Sequence, residues 1–249
     1  MYKIHIVSLV TIPQGEIAYV FSRDGESLPG TQTLGRVVEE SKHFQDVVGY
    51  MKNGGQKGIQ RAIVREGTYA FNLAQFIIIS QKEIFALSLG SSEMKTVQTM
   101  SEKIHERNGF TPVIIRGGED VLGVVTVHDG PSLAQGHIVA PTVGDSKDIN
   151  ETYHNNFQDI EKFLVAGGYR GRQYQVLTEG TYFINRMFAT VELIPKTIIP
   201  VGSVGVVISY VGEKGIDSSG DDYRHGELVE EGTKGVWKEA LSPGKYAFN

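Results

Sequence analysis

The chain has 249 residues, 40% of them hydrophobic and 21% charged, a balance that predicts a folded, cored protein and excludes a disordered one. A net charge of −5 offers no electrostatic footprint for nucleic acid, and the absence of cysteine excludes disulfides, thiolate metal sites and a thiol nucleophile. Thirty glycines and eight prolines predict many turns between short strands. No apolar run approaches the roughly 20 residues that span a bilayer, and the N-terminus lacks the apolar core and cleavage site of a signal peptide.

Residues 1–10 alternate apolar and polar at Ile4, Ile6 and Leu9 and predict a strand. Ile12-Pro13-Gln14-Gly15 follows as a turn, in which Pro13 stiffens the link and Gly15 permits the reversal. A strand is expected over 16–21 and a hairpin turn at Asp24-Gly25. Phe44, Val47, Val48 and Met51 fall at helical spacing, and Asn53-Gly54-Gly55 stops that helix. Residues 60–64 read as a strand, Glu66-Gly67 as a turn, 69–72 as the start of the next strand and 74–79 as a short buried one. Residues 84–89 are strand-like. A helix capped by Ser91 or Ser92 then runs to about Arg107, with Met94, Val97, Met100 and Ile104 on one face, and Asn108-Gly109 ends it before a strand at 112–115.

Much of this pattern returns downstream. His43-Phe44-Gln45-Asp46, Gly54-Gly55-Gln56-Lys57-Gly58, Gln60 and Glu66-Gly67-Thr68-Tyr69 with Asn72 match Asn156-Phe157-Gln158-Asp159, Gly167-Gly168-Tyr169-Arg170-Gly171, Gln173 and Glu179-Gly180-Thr181-Tyr182 with Asn185, every pair 113 residues apart. A constant spacing over thirty residues predicts two copies of one structural unit. Residues 144–155, between the strand at 121–125 and the second copy, read as an exposed loop. A third unit opens at Ile199-Pro200-Val201-Gly202, continues as a strand over 204–210 and closes on Gly244-Lys245-Tyr246. Pro200 stands 187 residues after Pro13, and at that spacing residues 1–7 fall on 188–194, the closing strand of the second unit. Both ends are therefore in register with the repeat, and the expectation is a segment of a longer protein.

The fold class expected is α+β, mostly β: tandem small antiparallel β modules, each with a short helix, plus one strand–helix–strand insert at about 91–107. The expected division is 1–116, 117–196 and 197–249. The residues expected to anchor the modules are Pro13, Gly15, Phe44, Gly67, Tyr69, Phe157, Gly180, Tyr182, Pro200, Gly202, Gly244 and Tyr246.

At these motifs the chain resembles the SPFH/band-7 superfamily of flotillins, stomatins and prohibitins, and in particular long prokaryotic flotillin-like members with several N-terminal repeats. The resemblance rests on Ile12-Pro13-Gln14-Gly15-Glu16-Ile17, Phe44-Gln45-Asp46, Gly54-Gly55-Gln56-Lys57-Gly58-Ile59-Gln60 and Gly67-Thr68-Tyr69, and spares only the helix near 90–110. It implies a membrane-associated, non-enzymatic scaffold whose copies form a large homo-oligomeric ring or cage organising membrane microdomains, with membrane proteins or proteases as clients. Membrane attachment comes from the resemblance alone. Similar β-rich repeats build vault walls, which is a fold analogy.

Other chemistry finds little footing in the sequence. The glycine-rich blocks lack the Gly-x-x-x-x-Gly-Lys-Ser/Thr spacing of a phosphate loop and follow a helix instead of opening one. Asp217, Ser219, Asp221 and Asp222 offer oxygen ligands for calcium, but an EF-hand would need glycine and glutamate where Asp222 and Leu228 stand. His43, His128, His137, His154 and His225 are scattered and read as isolated polar residues, and no Gly-x-Ser-x-Gly elbow occurs. The reading thus names no catalytic residue, cofactor or metal and no nucleic acid. The alternative is a repeat-built binding module without a cage, holding a peptide, sugar or calcium in the loops at 144–155 and 216–225.

Overall fold

The computed structural model describes residues 4–30, 32–218 and 228–248. The chain is mostly β, with several small antiparallel sheets and few helices. Among the described residues, no helix is long and apolar enough to cross a membrane.

The first group of strands is β1 (Val10–Ile12), β2 (Ala18–Ser22), β3 (Gly58–Val64), β4 (Gly67–Tyr69), β5 (Phe76–Ile79) and β6 (Ile84–Phe85), with a short helix α1 (Val47–Lys52). Four of them form one sheet in the order β3-β2-β5-β6, while β1 pairs with β4 beside it. β5 is apolar at every position and wholly buried, because both faces of the sheet are covered. One face packs Val20, Phe76 and Ile78 against Phe44 and Tyr50. The other packs Ile17, Tyr19, Ile77 and Ile79 against α2 (Ser91–Glu106), which lays Val97, Met100 and Ile104 onto it.

The second group is β7 (Val113–Ile115), β8 (Val121–Val127), α3 (Ile160–Val165), β9 (Gly171–Leu177), β10 (Gly180–Tyr182) and β11 (Ala189–Pro195). Its sheet runs β11-β8-β9, and β7 pairs with β10 as β1 does with β4. Its core gathers Val125, Val127, Phe157, Phe163, Leu177 and Phe188. The third group is smaller: β12 (Thr197–Ile199), β13 (Ile208–Ser209), β14 (Leu228–Val229), β15 (Gly235–Trp237) and β16 (Gly244–Tyr246). β12 pairs with β16, so Val10↔Tyr69, Val113↔Tyr182 and Thr197↔Tyr246 are three instances of one register.

Several expectations need correction. Residues 4–9 form no strand; Ile4 and Ile6 are 84% and 96% exposed, and β1 starts only at Val10. Alternation alone cannot make a strand where no neighbour offers an edge. In α1 the buried residue is Tyr50, whereas Val48 and Met51 are exposed, because Phe44 lies before the helix in a left-handed turn and sets no helical face. Residues 70–75 are not strand, and the strand expected at 204–210 reduces to β13. Met94 is exposed on α2, and the helix is capped by Gly90, whose N–H donates to the Glu93 carboxylate at 3.1 Å, in place of a serine.

Candidate functional site

The residues that recur in sequence also recur in place. Lys42, His43 and Phe44 have φ of 49°, 56° and 64°, and Asn155, Asn156 and Phe157 have 47°, 56° and 65°. Three successive left-handed residues cost L-amino acids roughly 1–2 kcal/mol each, so the surroundings must hold them. In the first group the Ser41 hydroxyl accepts the Phe44 N–H at 3.2 Å. In the second, His154 Nδ1 accepts the Phe157 N–H at 2.8 Å. Both turns drop the phenylalanine ring into the core, Phe44 against Phe76 at 5.3 Å and Phe157 against Phe163 at 5.5 Å.

The next two residues hold the chain on either side. Gln45 accepts the Ala70 N–H at 3.0 Å and Gln158 the Phe183 N–H at 2.9 Å, tying the turn to the segment beyond the Gly-x-Tyr strand. Asp46 caps α1 through the Gly49 N–H, and Asp159 caps α3 through the Lys162 N–H. The helices end on paired glycines. A Cβ on Gly55 would sit 2.2 Å from the Tyr50 ring, and one on Gly168 2.2 Å from the Phe163 ring, so the aromatic of each helix seals its own stop.

Gln60 and Gln173 fill a bulge. The pairing of β2 with β3 shifts between Tyr19 and Phe21, and that of β8 with β9 between Val124 and Thr126. Buried at each shift, the glutamine turns its amide back on its own chain. Gln60 Nε2 donates to the carbonyls of Gln56 and Gly58, and Gln173 Nε2 to those of Tyr169 and Gly171. These side chains satisfy carbonyls of the segment that leads into each bulge.

The remaining anchors are turns and corners. Pro13 O accepts the Glu16 N–H, and Pro200 O the Ser203 N–H. Arg116 O accepts the Glu119 N–H in the same way, so the reversal does not need proline. It needs the glycine two residues on: Gly15, Gly118 and Gly202 have φ of 76°, 90° and 87°, with open space where a Cβ would go. Gly67, Gly180 and Gly244 open β4, β10 and β16. The tyrosine hydroxyls of Tyr69, Tyr182 and Tyr246 donate back to the carbonyls of Arg65, Thr178 and Ser242, four residues earlier in each case.

The first two groups lock together through buried polar contacts. Asn185 Nδ2 reaches the Gln60 and Arg61 carbonyls at 3.1 and 2.9 Å, just where β3 bulges. Arg61 Nη1 donates to both carboxylate oxygens of Glu161 at 3.0 and 2.9 Å, and Nη2 lies 3.6 Å from the buried Asp129. Tyr19 donates to the Gly109 carbonyl and accepts the Arg186 N–H, and burial pushes its hydroxyl up to about 12. The Arg65 guanidinium lies over the Phe183 ring.

His154 is not an isolated polar residue. It is fully buried among Phe157 and Phe163, and its Nε2 faces the Val143 carbonyl at 2.7 Å. A carbonyl only accepts, so the proton is on Nε2 and the ring is the neutral tautomer. Burial holds its pKa below the ordinary value. Its counterpart at the 113-residue spacing is Ser41, not His43, and shares its task on the turn. The rest of 144–155 is largely exposed, as expected of a loop.

His128 Nε2 lies 3.1 Å from the Thr190 hydroxyl, and burial lowers its pKa too. Of the calcium candidates, Asp217 is exposed, while Ser219, Asp221 and Asp222, like His225, lie outside the described residues. Among the described residues, no three His, Asp or Glu side chains gather in a way that would hold a metal. A cleft of about 530 Å³ opens between the second and third groups, lined by Leu133, Val139, Tyr169, Tyr174 and Val211 among others. No protein-family model, no curated protein and no solved structure matches the chain.

Proposed function

We propose that the chain is a non-enzymatic scaffold segment of SPFH/band-7, flotillin-like type. In this reading it is built of three copies of one small module, the three strand groups, with the second starting at β7 (Val113–Ile115), a few residues before the division expected at 117, and the third at 197. The modules follow one another in the wall of a large homo-oligomeric ring or cage at a membrane. One observation carries the reading. At matching positions of the first two modules, the buried polar side chains of Ser41 and His154, and of Gln60 and Gln173, are all bonded to backbone. Polar groups committed in this way hold shape, which is what a wall element requires. The test is the mass of the protein extracted from its native membranes in mild detergent, by light scattering with negative-stain imaging. A closed particle of many subunits is the expected result; a monomer or dimer overturns the cage.

The cleft beside Tyr169 and Tyr174 favours a second reading, a repeat-built binding module. A peptide or calcium ion that raises the melting temperature of the native chain, but not of Tyr174→Ala for a peptide, would move the weight there.

A further inference from the structure

Arg186 is a buried cation without a counter-charge. It is 6% exposed, and among the described residues its guanidinium makes no ion pair and no hydrogen bond; its Nε is enclosed with nothing to donate to. Burial lowers its pKa, and the one group acting against that is the Tyr19 hydroxyl. That hydroxyl is itself pushed up to about 12, so at neutral pH it carries no negative charge. A guanidinium does not shed its proton in a protein, and a buried charge left unpaired is costly.

The fold does not ask for this charge. Leu73 stands 113 residues earlier in the same turn: the Asn72 carbonyl accepts the Gln75 and Phe76 N–H groups, as the Asn185 carbonyl accepts those of Phe188 and Ala189. Leu73 is 7% exposed and packs in an apolar core. An aliphatic side chain therefore serves the turn, and the arginine needs another reason.

More positive charge gathers beside it. Arg107, at the end of α2, donates from Nη1 to the Arg186 carbonyl at 2.7 Å, and the charges of both arginines reach the Tyr19 hydroxyl. After burial, the charges of Arg107 and Lys103 are what lower the His128 pKa, which places both near that ring. Neither forms an ion pair among the described residues, and the acid acting on Arg107 is its exposed neighbour Glu106. Cations in the last turn of a helix suit its dipole, which accounts for Lys103 and Arg107. It does not account for Arg186, which belongs to the turn after β10.

We propose that Arg186, with Arg107 and Lys103 at the rim, binds a small inorganic oxyanion, phosphate or sulfate, where α2 meets the turn after β10. The planar fork of a guanidinium matches two oxygens of such an ion. The slight exposure of Arg186 leaves a narrow way in, which admits a free tetrahedral ion and not a phosphate flanked by chain on both sides. The bound ion ties α2 to the second group of strands, beside the bonds that Tyr19 already makes there. The proposal is independent of the scaffold reading.

The intact chain is titrated with inorganic phosphate by calorimetry, in chloride buffer at neutral pH and constant ionic strength, with thermal melts in parallel. One phosphate per chain is expected, displaced by sulfate, and a Tm rise of roughly 5–10 °C at about a hundred times the Kd. Arg186→Leu, which copies Leu73, should weaken binding at least tenfold and melt in chloride no lower than the parent. Lys103→Gln, on an exposed side chain, should weaken binding several-fold and leave the Tm in chloride unchanged. No saturable binding of phosphate, or binding that Arg186→Leu leaves intact, overturns the proposal. So does an equal Tm rise in parent and Arg186→Leu, the mark of general salt exclusion. Should Arg186→Leu fail to fold, Lys103→Gln decides, and an unchanged affinity in that chain overturns the proposal.

Discussion

Replacing Phe157 by alanine tests the reasoning at its centre. The ring is 1% exposed and lies 4.8 Å from His154 and 5.5 Å from Phe163. Losing its burial costs about 2–3 kcal/mol, and the aromatic contacts add about 1 kcal/mol. Alanine inherits the same left-handed backbone, so no strain is released to offset this. The expected loss is about 3–4 kcal/mol, within the usual range for emptying a buried phenylalanine site. For a chain of this size that is a fall in Tm of roughly 10 °C. Phe44→Ala should cost a similar amount, since Phe44 occupies the same turn and packs on Tyr50 and Phe76. Because Arg61, Asn185 and Tyr19 bond the two groups together, both variants should shift one shared transition in a thermal melt followed by circular dichroism. A Tm within a degree of the parent, or a melt in which only part of the signal moves, would refute the placement.

Gln60→Ala should cost about 1–2 kcal/mol in urea titration, because the Gly58 carbonyl loses its amide donor while the Gln56 carbonyl keeps the Tyr50 hydroxyl. Unchanged stability would mean that water replaces the amide. His43→Asn, copying Asn156, should stabilise by several tenths of a kcal/mol, since asparagine tolerates the left-handed region better; a loss would refute the strain argument. Arg61→Leu should cost about 3 kcal/mol by stranding Asp129 without its cation, and Asp129→Asn in the same chain should recover part of it. For His154 the folded-state pKa is lowered, so below about pH 6.5 the unfolded chain binds the extra proton. Stability is then fully present above that pH and falls as the pH drops towards the folded value, by up to about 1.4 kcal/mol per pH unit. His154→Ser, which copies Ser41, should flatten that part of the profile in urea melts between roughly pH 7 and pH 5, leaving a residual slope from His128. An unaltered slope would refute the buried neutral tautomer.

Side chains whose role depends on their neighbours in sequence were the legible ones. Paired glycines end the short helices, and the short buried run at β5 had no other place to go. α2 was readable from its periodicity to within a residue at its end. What stayed hidden depends on distance. The left-handed turn carries no glycine to announce it, and it is held by a serine in one place and a histidine in the other, two residue types that share only a lone pair. Gln60 and Gln173 recur visibly, but nothing local says that they plug a bulge. The exposure of residues 4–9 was equally illegible, because alternation describes a strand's sides and not whether an edge awaits it.

The bond from Asn185 to the bulge of β3 also has a consequence in time. The Gln60 and Arg61 carbonyls leave the ribosome 125 and 124 residues ahead of the amide that will bind them. At about 5–20 residues per second, translation keeps them waiting on the order of ten seconds. During that interval only water can satisfy them, so the bulge stays wet and the first sheet stays short of its final packing. The nascent chain completes its N-terminal half only after about half of the second half has emerged.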